Sequence, residues 1–169
     1  GMINSSLDLY KMETGIYQYK PQSIDLLMVV RQLSNELHNL CSAHDVTLEL
    51  YLKSNIPGED EKFYVMAEEL LTHTMLANLL KNAIEAATEN TVIKVSMHDD
   101  SDGPVLSIRN SGEVPEEIRD RFFDKYVTSG KENGTGLGTY SAYMAAKTQG
   151  GDITLNCSES GHTTITVHF

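Results

Sequence analysis

Two groups of residues in this chain have the types and spacing of a site for phosphate and a metal ion. The first is Gly130–Gly138, in which four of nine residues are glycine, followed directly by a helix-compatible segment from Thr139. Glycine accepts positive φ and close approach of a ligand, and a helix N-terminus offers unpaired N–H groups with partial positive charge. The segment is therefore predicted to cradle phosphate; a surface loop before an ordinary helix is the alternative.

The second group is a polar stripe on a predicted helix from Leu70 to Thr88. Apolar residues recur there at steps of three and four, while Asn78, Asn82 and Glu85 fall at i, i+4 and i+7 and so share one side. Asn is a poor helix former because its side chain competes for backbone hydrogen bonds, and Lys or Glu would suit a merely solvated face better. The two asparagines therefore indicate a functional face.

The elements that must position these groups follow from periodicity. Helical spacing marks Leu26 to Ala43 and the segment after Gly138, and a short helix is expected from Glu116 to Phe123. Alternating apolar residues predict strands, namely Val46–Leu52, Thr91–Met97, Pro104–Arg109, Asp152–Asn156 and Thr163–His168. The pattern predicts an α+β two-layer sandwich, with a mixed, mostly antiparallel sheet covered on one face by three helices. Val127 to Gly134 has no apolar periodicity and is expected to be mobile.

Composition narrows the function classes. The net charge of −11 argues against a nucleic-acid partner, and no apolar run reaches the roughly 18 residues that a membrane span needs, so no membrane contact is expected. Cys41 and Cys157 have neither metal-site nor disulfide spacing, which is typical of a reduced, cytoplasmic protein. An acidic chain that binds an anionic ligand needs a metal ion, backbone N–H groups or placed lysines near that ligand.

Four motifs resemble those of the sensor histidine kinases. They are the asparagine box (Asn78–Ala87), the first glycine box (Asn110–Pro115), the phenylalanine box (Arg121–Tyr126) and the second glycine box (Gly134–Gly138), in the family's order. The resemblance covers Pro21 to the C-terminus and implies the Bergerat-type ATP-binding fold shared with gyrase and MutL. Those two proteins carry Glu four residues before the metal-binding Asn; Asn78 at that position favours the kinase branch.

The resemblance assigns roles to residues of the site. It implies ATP and Mg²⁺ as cofactors, with Asn82 as the metal ligand and Asn78 at the phosphates or ribose. Asn78, Asn82 and Lys125 are the candidate catalytic residues, and Asn110 and Gly112 would meet adenine. The remaining phosphate-binding candidates are Thr128, Lys131, Gly134, Thr135, Gly136, Leu137 and Gly138.

Three positions depart from the family pattern. Asn110 stands where the family has Asp; its oxygen can accept the adenine amino group's hydrogen bond, but without charge. The first glycine box is one residue short and has Glu113-Val114 in place of its second glycine. Glu85 replaces a commonly basic residue, and two roles stay open for it, holding the metal or positioning Lys125.

The resemblance also implies how the chain is organised. Residues 1–15 would be the tail of a dimerisation helix and residues 16–169 the ATP-binding domain. None of the six histidines has the context of a phospho-acceptor, so the γ-phosphoryl group would go to a histidine on a dimerisation domain absent from this chain, and this chain alone would not autophosphorylate. Expected partners are that domain and a response regulator. A degenerate nucleotide-binding or docking module and an anti-sigma-type serine kinase are the alternatives.

Overall fold

The computed structural model describes residues 5–127 and 136–169. Five α-helices occur in these ranges, α1 (Ser5–Glu13), α2 (Leu26–Glu36), α3 (His38–Ala43), α4 (Glu69–Ala86) and α5 (Gly138–Thr148), with a 3₁₀ helix at Glu116–Arg121. The strands are β1 (Gln22–Asp25), β2 (Val46–Leu52), β3 (Tyr64–Ala67), β4 (Thr91–Asp100), β5 (Gly103–Ser111), β6 (Asp152–Asn156) and β7 (His162–His168).

Five of the strands form the main sheet, in the order β2-β4-β5-β7-β6. β2 runs parallel to β4, and every other neighbouring pair is antiparallel. Strand alternation sends one face inward, and the buried side chains of that face include Ile93, Val95, Ile108, Ile165 and Val167. The predicted mixed, mostly antiparallel sheet with helices packed on it is confirmed.

Helix α4 lies at the centre of the helical layer. It contacts β5, α2 and α5, and its apolar side, including Met75, Leu76 and Leu79, is buried. The buried side of α5 consists of Ala142, Ala145 and Ala146. Because helix separation depends on the side chains at the contact, these small residues let α5 approach α4 closely. This close packing brings the start of α5 to the polar edge of α4.

The structure differs from the sequence-based prediction in two helices and in one strand pairing that was not predicted. The helix predicted from Leu26 to Ala43 is two helices, because buried Leu37 leaves helical geometry (φ −94, ψ 5) and α3 then packs on β2. β1 and β3 pair as a separate two-stranded sheet. The short helix expected from Glu116 is a 3₁₀ helix that ends at Arg121.

Helix α1 packs against α5 and ends just before Gly15, which has φ +74. Positive φ at a glycine after a helix is the usual way that a helix ends. The division into residues 1–15 and 16–169 stays a prediction. No helix of the described ranges is long and apolar enough to cross a membrane.

Candidate functional site

The polar edge of α4 carries the two asparagines singled out in the sequence. Asn78 and Asn82 stand one helical turn apart and are both half-buried, whereas Lys81 and Glu85 on the same helix are exposed. The apolar positions of α4 turn toward the core, which leaves the asparagines at the border between core and solvent. Asn78 and Asn82 are therefore placed where a ligand at the surface of α4 could reach their amide groups, and Glu85 is exposed on the same helix.

The start of α5 lies against this edge. Gly138 is the first residue of α5, and a Cβ placed on it would lie 4.0 Å from Oδ1 of Asn78. No side chain of the described residues caps the start of α5, and its first turn contains no acidic residue. The N–H groups of that turn therefore have the orientation and charge to hold an anion beside Asn78.

Gly136 and Tyr126 meet at the base of the segment that joins them. The Tyr126 N–H donates a hydrogen bond to the Gly136 carbonyl at 3.0 Å. Gly136 has φ +70, and a Cβ there would overlap the Tyr126 backbone, so only glycine fits. Tyr126 itself has φ 66, which is rare for an aromatic residue. The candidate residues Thr128, Lys131, Gly134 and Thr135 lie outside the described residues.

Aromatic packing supports the same corner. The rings of Phe122 and Phe123 meet edge to face at 5.0 Å, and Phe123 stacks on Tyr143 of α5 at 5.6 Å. The Thr139 hydroxyl donates to the Phe122 carbonyl at 3.2 Å, which ties the first turn of α5 to this pair. Of the aromatic residues in the phenylalanine box, Phe122 is buried, whereas Tyr126 is 67% exposed.

The end of β5 forms the other side of the site. Asn110 is 4% exposed, and its Nδ2 donates to the Ser111 carbonyl at 2.9 Å. Gly112 follows with φ +113, and a Cβ there would lie 2.7 Å from the Ala86 carbonyl oxygen, so glycine allows the end of β5 to meet the end of α4. The Gly112 N–H donates to the Gly161 carbonyl at 2.8 Å.

Thr163 on β7 is a residue of this corner that sequence reasoning missed. It is buried, pairs with Asn110 across the strands, and donates its hydroxyl hydrogen to the Gly112 carbonyl at 2.8 Å. The available signal was its place in the inward-facing register of Ile165 and Val167, where a polar residue needs a partner. Thr163 thus fixes the turn that carries Asn110 and Gly112.

Lys125 is held by α1. Its Nζ lies 3.1 Å from Oε2 of Glu13, and the Tyr140 hydroxyl donates to the same oxygen at 2.8 Å. The hydrogen bonds from Tyr140 and Lys125 hold the pKa of Glu13 below its ordinary value, and the hydrogen bond to Glu13 raises the pKa of Lys125. A phosphate contact of Lys125 remains a prediction; in this structure its ammonium is paired with a carboxylate.

The residues of this site suit a metal ion that binds together with the phosphate groups that coordinate it. Within residues 5–127 and 136–169, no group of three or more His, Cys, Asp and Glu side chains is placed to hold a metal ion. Mg²⁺ commonly takes one or two protein ligands and completes its octahedron with waters and phosphate oxygens. The half-buried Asn82 amide is a hard oxygen donor of that kind and lies one turn from Asn78. A magnesium–triphosphate complex fits this donor set.

Comparison with known proteins agrees with this geometry. Residues 67–169, which contain α4, β5 and α5, match the family described as histidine kinase-, DNA gyrase B- and HSP90-like ATPase. The sensor protein EvgS of Escherichia coli K12 is 29% identical over 175 residues, 99% of this chain and 14% of EvgS. The alginate biosynthesis sensor protein KinB of Pseudomonas aeruginosa is 25% identical, over 90% of this chain and 25% of KinB. The chain thus spans a quarter or less of these two relatives.

Solved structures have the same fold. The catalytic domain of histidine kinase ThkA superposes with a TM-score of 0.72 at 25% identity, over 88% of this chain and 95% of that chain. Full-length ShkA, solved in complex with AMPPNP, superposes with a TM-score of 0.78 at 17% identity, over 97% of this chain and 34% of that chain. Together with the matched residues, these likenesses confirm the resemblance seen in the four motifs. The chain belongs to the histidine kinase-, DNA gyrase B- and HSP90-like ATPase family, as an ATP-binding catalytic domain of the sensor histidine kinase type.

Proposed function

We propose that this chain binds Mg-ATP between α4 and the start of α5 and donates the γ-phosphoryl group to a histidine on a dimerisation domain outside the chain. The observation that carries the proposal is the approach of Asn78 to Gly138, which joins the amide stripe of one helix to the N-terminus of another. An amide oxygen for the metal and backbone N–H groups for the phosphates then face one groove.

Each residue has a stated task in this proposal. Asn82 would hold Mg²⁺, which would offset the phosphate charge, and Asn78 would orient the phosphates. Asn110 and Gly112, fixed by Thr163, would bind adenine at the far end of the groove. The phosphate cradle would comprise the backbone of Gly134, Thr135, Gly136, Leu137 and Gly138, with Thr128, Lys125 and Lys131 beside it.

The chain's contribution to phosphoryl transfer would be positioning and charge neutralisation, since this reaction needs little covalent chemistry from the protein. The acceptor histidine, the response regulator that receives the phosphoryl group next and the cytoplasmic location are parts of the same proposal. The relatives support it, because EvgS and KinB are sensor proteins and ThkA and ShkA are described as histidine kinases or solved with an ATP analogue.

One observation favours a docking module as the second candidate. The buried Asn110 amide already donates to the Ser111 carbonyl, and the first glycine box is short. If the adenine pocket has been rebuilt around the amide, the domain would keep the fold and bind nucleotide only weakly. This candidate predicts a folded chain with little or no saturable binding at millimolar Mg-ATP.

Calorimetric titration of the chain with ATP tests the proposal, in buffer with Mg²⁺ and in buffer with EDTA. We expect one saturable site in Mg²⁺ and weaker binding in EDTA. Asn78→Ala should weaken Mg-ATP binding, whereas Lys81→Ala, an exposed change three residues along the same helix, should not. Absence of binding at millimolar Mg-ATP by a folded chain would contradict the proposal and favour the docking module.

A further inference from the structure

Glu13 links α1 to both sides of the candidate phosphate site. One carboxylate oxygen, Oε2, accepts hydrogen bonds from Lys125 and from Tyr140. Lys125 directly precedes Tyr126, whose N–H holds the Gly136 carbonyl, and Tyr140 lies in the first turn of α5. The Lys125 ammonium also lies 5.4 Å and 5.6 Å from the ring centroids of Tyr126 and Tyr140. The Glu13 carboxylate thus binds the Lys125 ammonium group, which lies beside the contact of Tyr126 with Gly136.

Apolar packing holds α1 only partly. Met12 is buried, but Leu7 and Tyr10 are 46% and 58% exposed. A cavity of about 410 Å³ separates α1 from α4, with Asp8 and Met12 on one wall and Leu71 and Met75 on the other. Since hydrophobic stabilisation scales with the apolar area removed from water, this interface gains less than a filled one would. The polar contacts of Glu13 therefore account for a larger share of the docking.

The chain after α1 is anchored separately. Both carboxylate oxygens of Glu68 are used there, one by the Tyr17 hydroxyl at 2.5 Å and the other by the Lys20 N–H at 2.8 Å. Between this anchor and α1 lies Gly15, with φ +74 and nothing within 4 Å of the place where a Cβ would stand. The Ile16 and Tyr17 N–H groups donate to the Lys11 carbonyl at 2.9 Å and 3.1 Å, so this anchor is joined to the end of α1. Loss of the Glu13 contacts would therefore loosen the packing of α1 on α5 and leave the helix tethered at its end.

We propose that Glu13 competes with the nucleotide's phosphates for Lys125, so that Mg-ATP binding releases α1 from the ATP-binding domain. The inference rests on the proposed function, because it requires a phosphate group at the groove. A triphosphate and a carboxylate are both anionic acceptors for the same ammonium group, and the two anions repel each other when both lie against Lys125. Glu13 is then a positioning residue, because it makes the docking of α1, the helix that ends at Glu13, depend on whether nucleotide is bound.

Calorimetry on the full chain tests the competition. Glu13→Gln should tighten Mg-ATP binding by about two- to fivefold, the range expected for removing an exposed ion pair, and should leave adenosine binding unchanged. Asp8→Asn is the matched control, because it removes the same charge from the same helix, and no hydrogen bond or ion pair joins Asp8 to Lys125 in the described part of the chain. In a Lys125→Gln background, Glu13→Gln should have no effect on Mg-ATP affinity.

Hydrogen exchange gives a second readout. In the wild-type chain, a saturating non-hydrolysable ATP analogue with Mg²⁺ should speed amide exchange in α1, whereas adenosine should not. The inference is overturned if Asp8→Asn raises the affinity for Mg-ATP equally, or if the effect of Glu13→Gln persists when Lys125 is replaced. It is also overturned if the rate of amide exchange in α1 is unchanged by the analogue. Binding without a Glu13→Gln effect removes this inference alone; absence of Mg-ATP binding by both wild type and Glu13→Gln removes the proposed function as well.

Discussion

Asn78 and Asn82 sit on α4 at positions where most residues would stabilise the helix more. Both are half-buried, and Gly138 lies beside Asn78. On the proposed function, a carboxylate at Asn82 would add negative charge beside the phosphates of a nucleotide, and the chain already carries a net charge of −11. A neutral amide instead offers an oxygen to a metal ion and an N–H to a phosphate. The choice of Asn is thus explained by the ligand's charge.

Asn82→Ala is predicted to separate metal binding from nucleotide binding. Affinity for Mg-ATP should fall by about 10- to 100-fold, the range seen when even indirect metal partners are removed, while metal-free ADP should bind as before. Helix α4 should remain formed, because Ala favours a helix over Asn by roughly half a kcal/mol. Titrations of both ligands and a thermal melt check this. Equal weakening of Mg-ATP and metal-free ADP would mean that Asn82 contacts nucleotide and not metal.

Asn110→Asp is predicted to destabilise the nucleotide-free chain. The change places a carboxylate oxygen where Nδ2 now donates to the Ser111 carbonyl, in a site only 4% exposed. Loss of the donor and burial of the charge should lower the free energy of unfolding by about 1–3 kcal/mol. Adenine nucleotides should still bind, because their amino group supplies a charge-assisted partner.

Urea unfolding with and without Mg-ATP measures the Asn110→Asp effect. Asn156→Asp is the control, since it adds the same charge at an exposed position where the side-chain oxygen accepts hydrogen bonds from Ser158, as a carboxylate also can. Equal loss of stability in both variants would show a general charge effect. Complete loss of nucleotide binding in Asn110→Asp would show that the pocket requires the amide.

At the scale of elements, the site depends on three junctions at which a glycine brings neighbouring segments of the chain together. Gly112 lets the end of β5 meet the end of α4. Gly136 lies against the backbone of Tyr126, and Gly138 begins α5 beside Asn78. The alanine face of α5 brings the last two junctions within reach of α4. A Cβ at Gly112 or Gly136 would overlap backbone that has little room to relax, whereas a Cβ at Gly138 would come only to ordinary contact distance from Asn78.

Gly112→Ala is predicted to strain the junction of β5 and α4. The matched control is Gly103→Ala, because Gly103 has a similar φ of +126 but its Cβ would meet nothing closer than 3.7 Å. Both changes incur the conformational cost of positive φ. Gly112→Ala should lower the free energy of unfolding by about 1–3 kcal/mol more than Gly103→Ala, the usual cost of overpacking, and should weaken adenosine binding. Equal loss in the two variants would show that the Ala86 carbonyl moves aside freely.

At the scale of the whole molecule, the chain presents a nucleotide site without an evident acceptor. None of its six histidines has the sequence context of a phospho-acceptor, and His73, for example, pairs with Glu36 at 3.0 Å. The chain spans only 14% of EvgS, and the proposed function places the acceptor histidine outside the chain. Helix α1 would connect the two, and its docking through Glu13 gives that connection a contact with the ATP-binding site.

We predict that the chain alone does not autophosphorylate. Incubation with γ-labelled ATP should give no acid-labile label on the chain, and addition of a separate dimerisation-helix fragment with an acceptor histidine should give label on that fragment. The Asn82→Ala variant should fail to label the fragment, because the metal ligand is lost. Acid-labile label mapped to one of the chain's six histidines would contradict the prediction.

The sequence determined the elements and the pairing of motifs because both depend on local patterns. Helical spacing located α4 to within a few residues, and alternation located the strands of the main sheet. Glycine spacing and the asparagine stripe pointed to one site, and Gly138 does lie against Asn78. These signals reside in short windows, where the preferences of neighbouring residues are enough to determine conformation.

The tertiary structure alone decided the contacts that join distant parts of the chain. Glu13 meets Lys125 and Tyr140 across 112 and 127 residues, Thr163 holds Gly112 across 51, and Leu37 divides one periodic segment into two helices so that α3 can pack on β2. Lys125 was predicted at a phosphate, yet its charge is paired with Glu13 in this structure. A residue's type limits which partners it can bind, but only packing of the whole chain determines which of those partners comes within hydrogen-bonding distance.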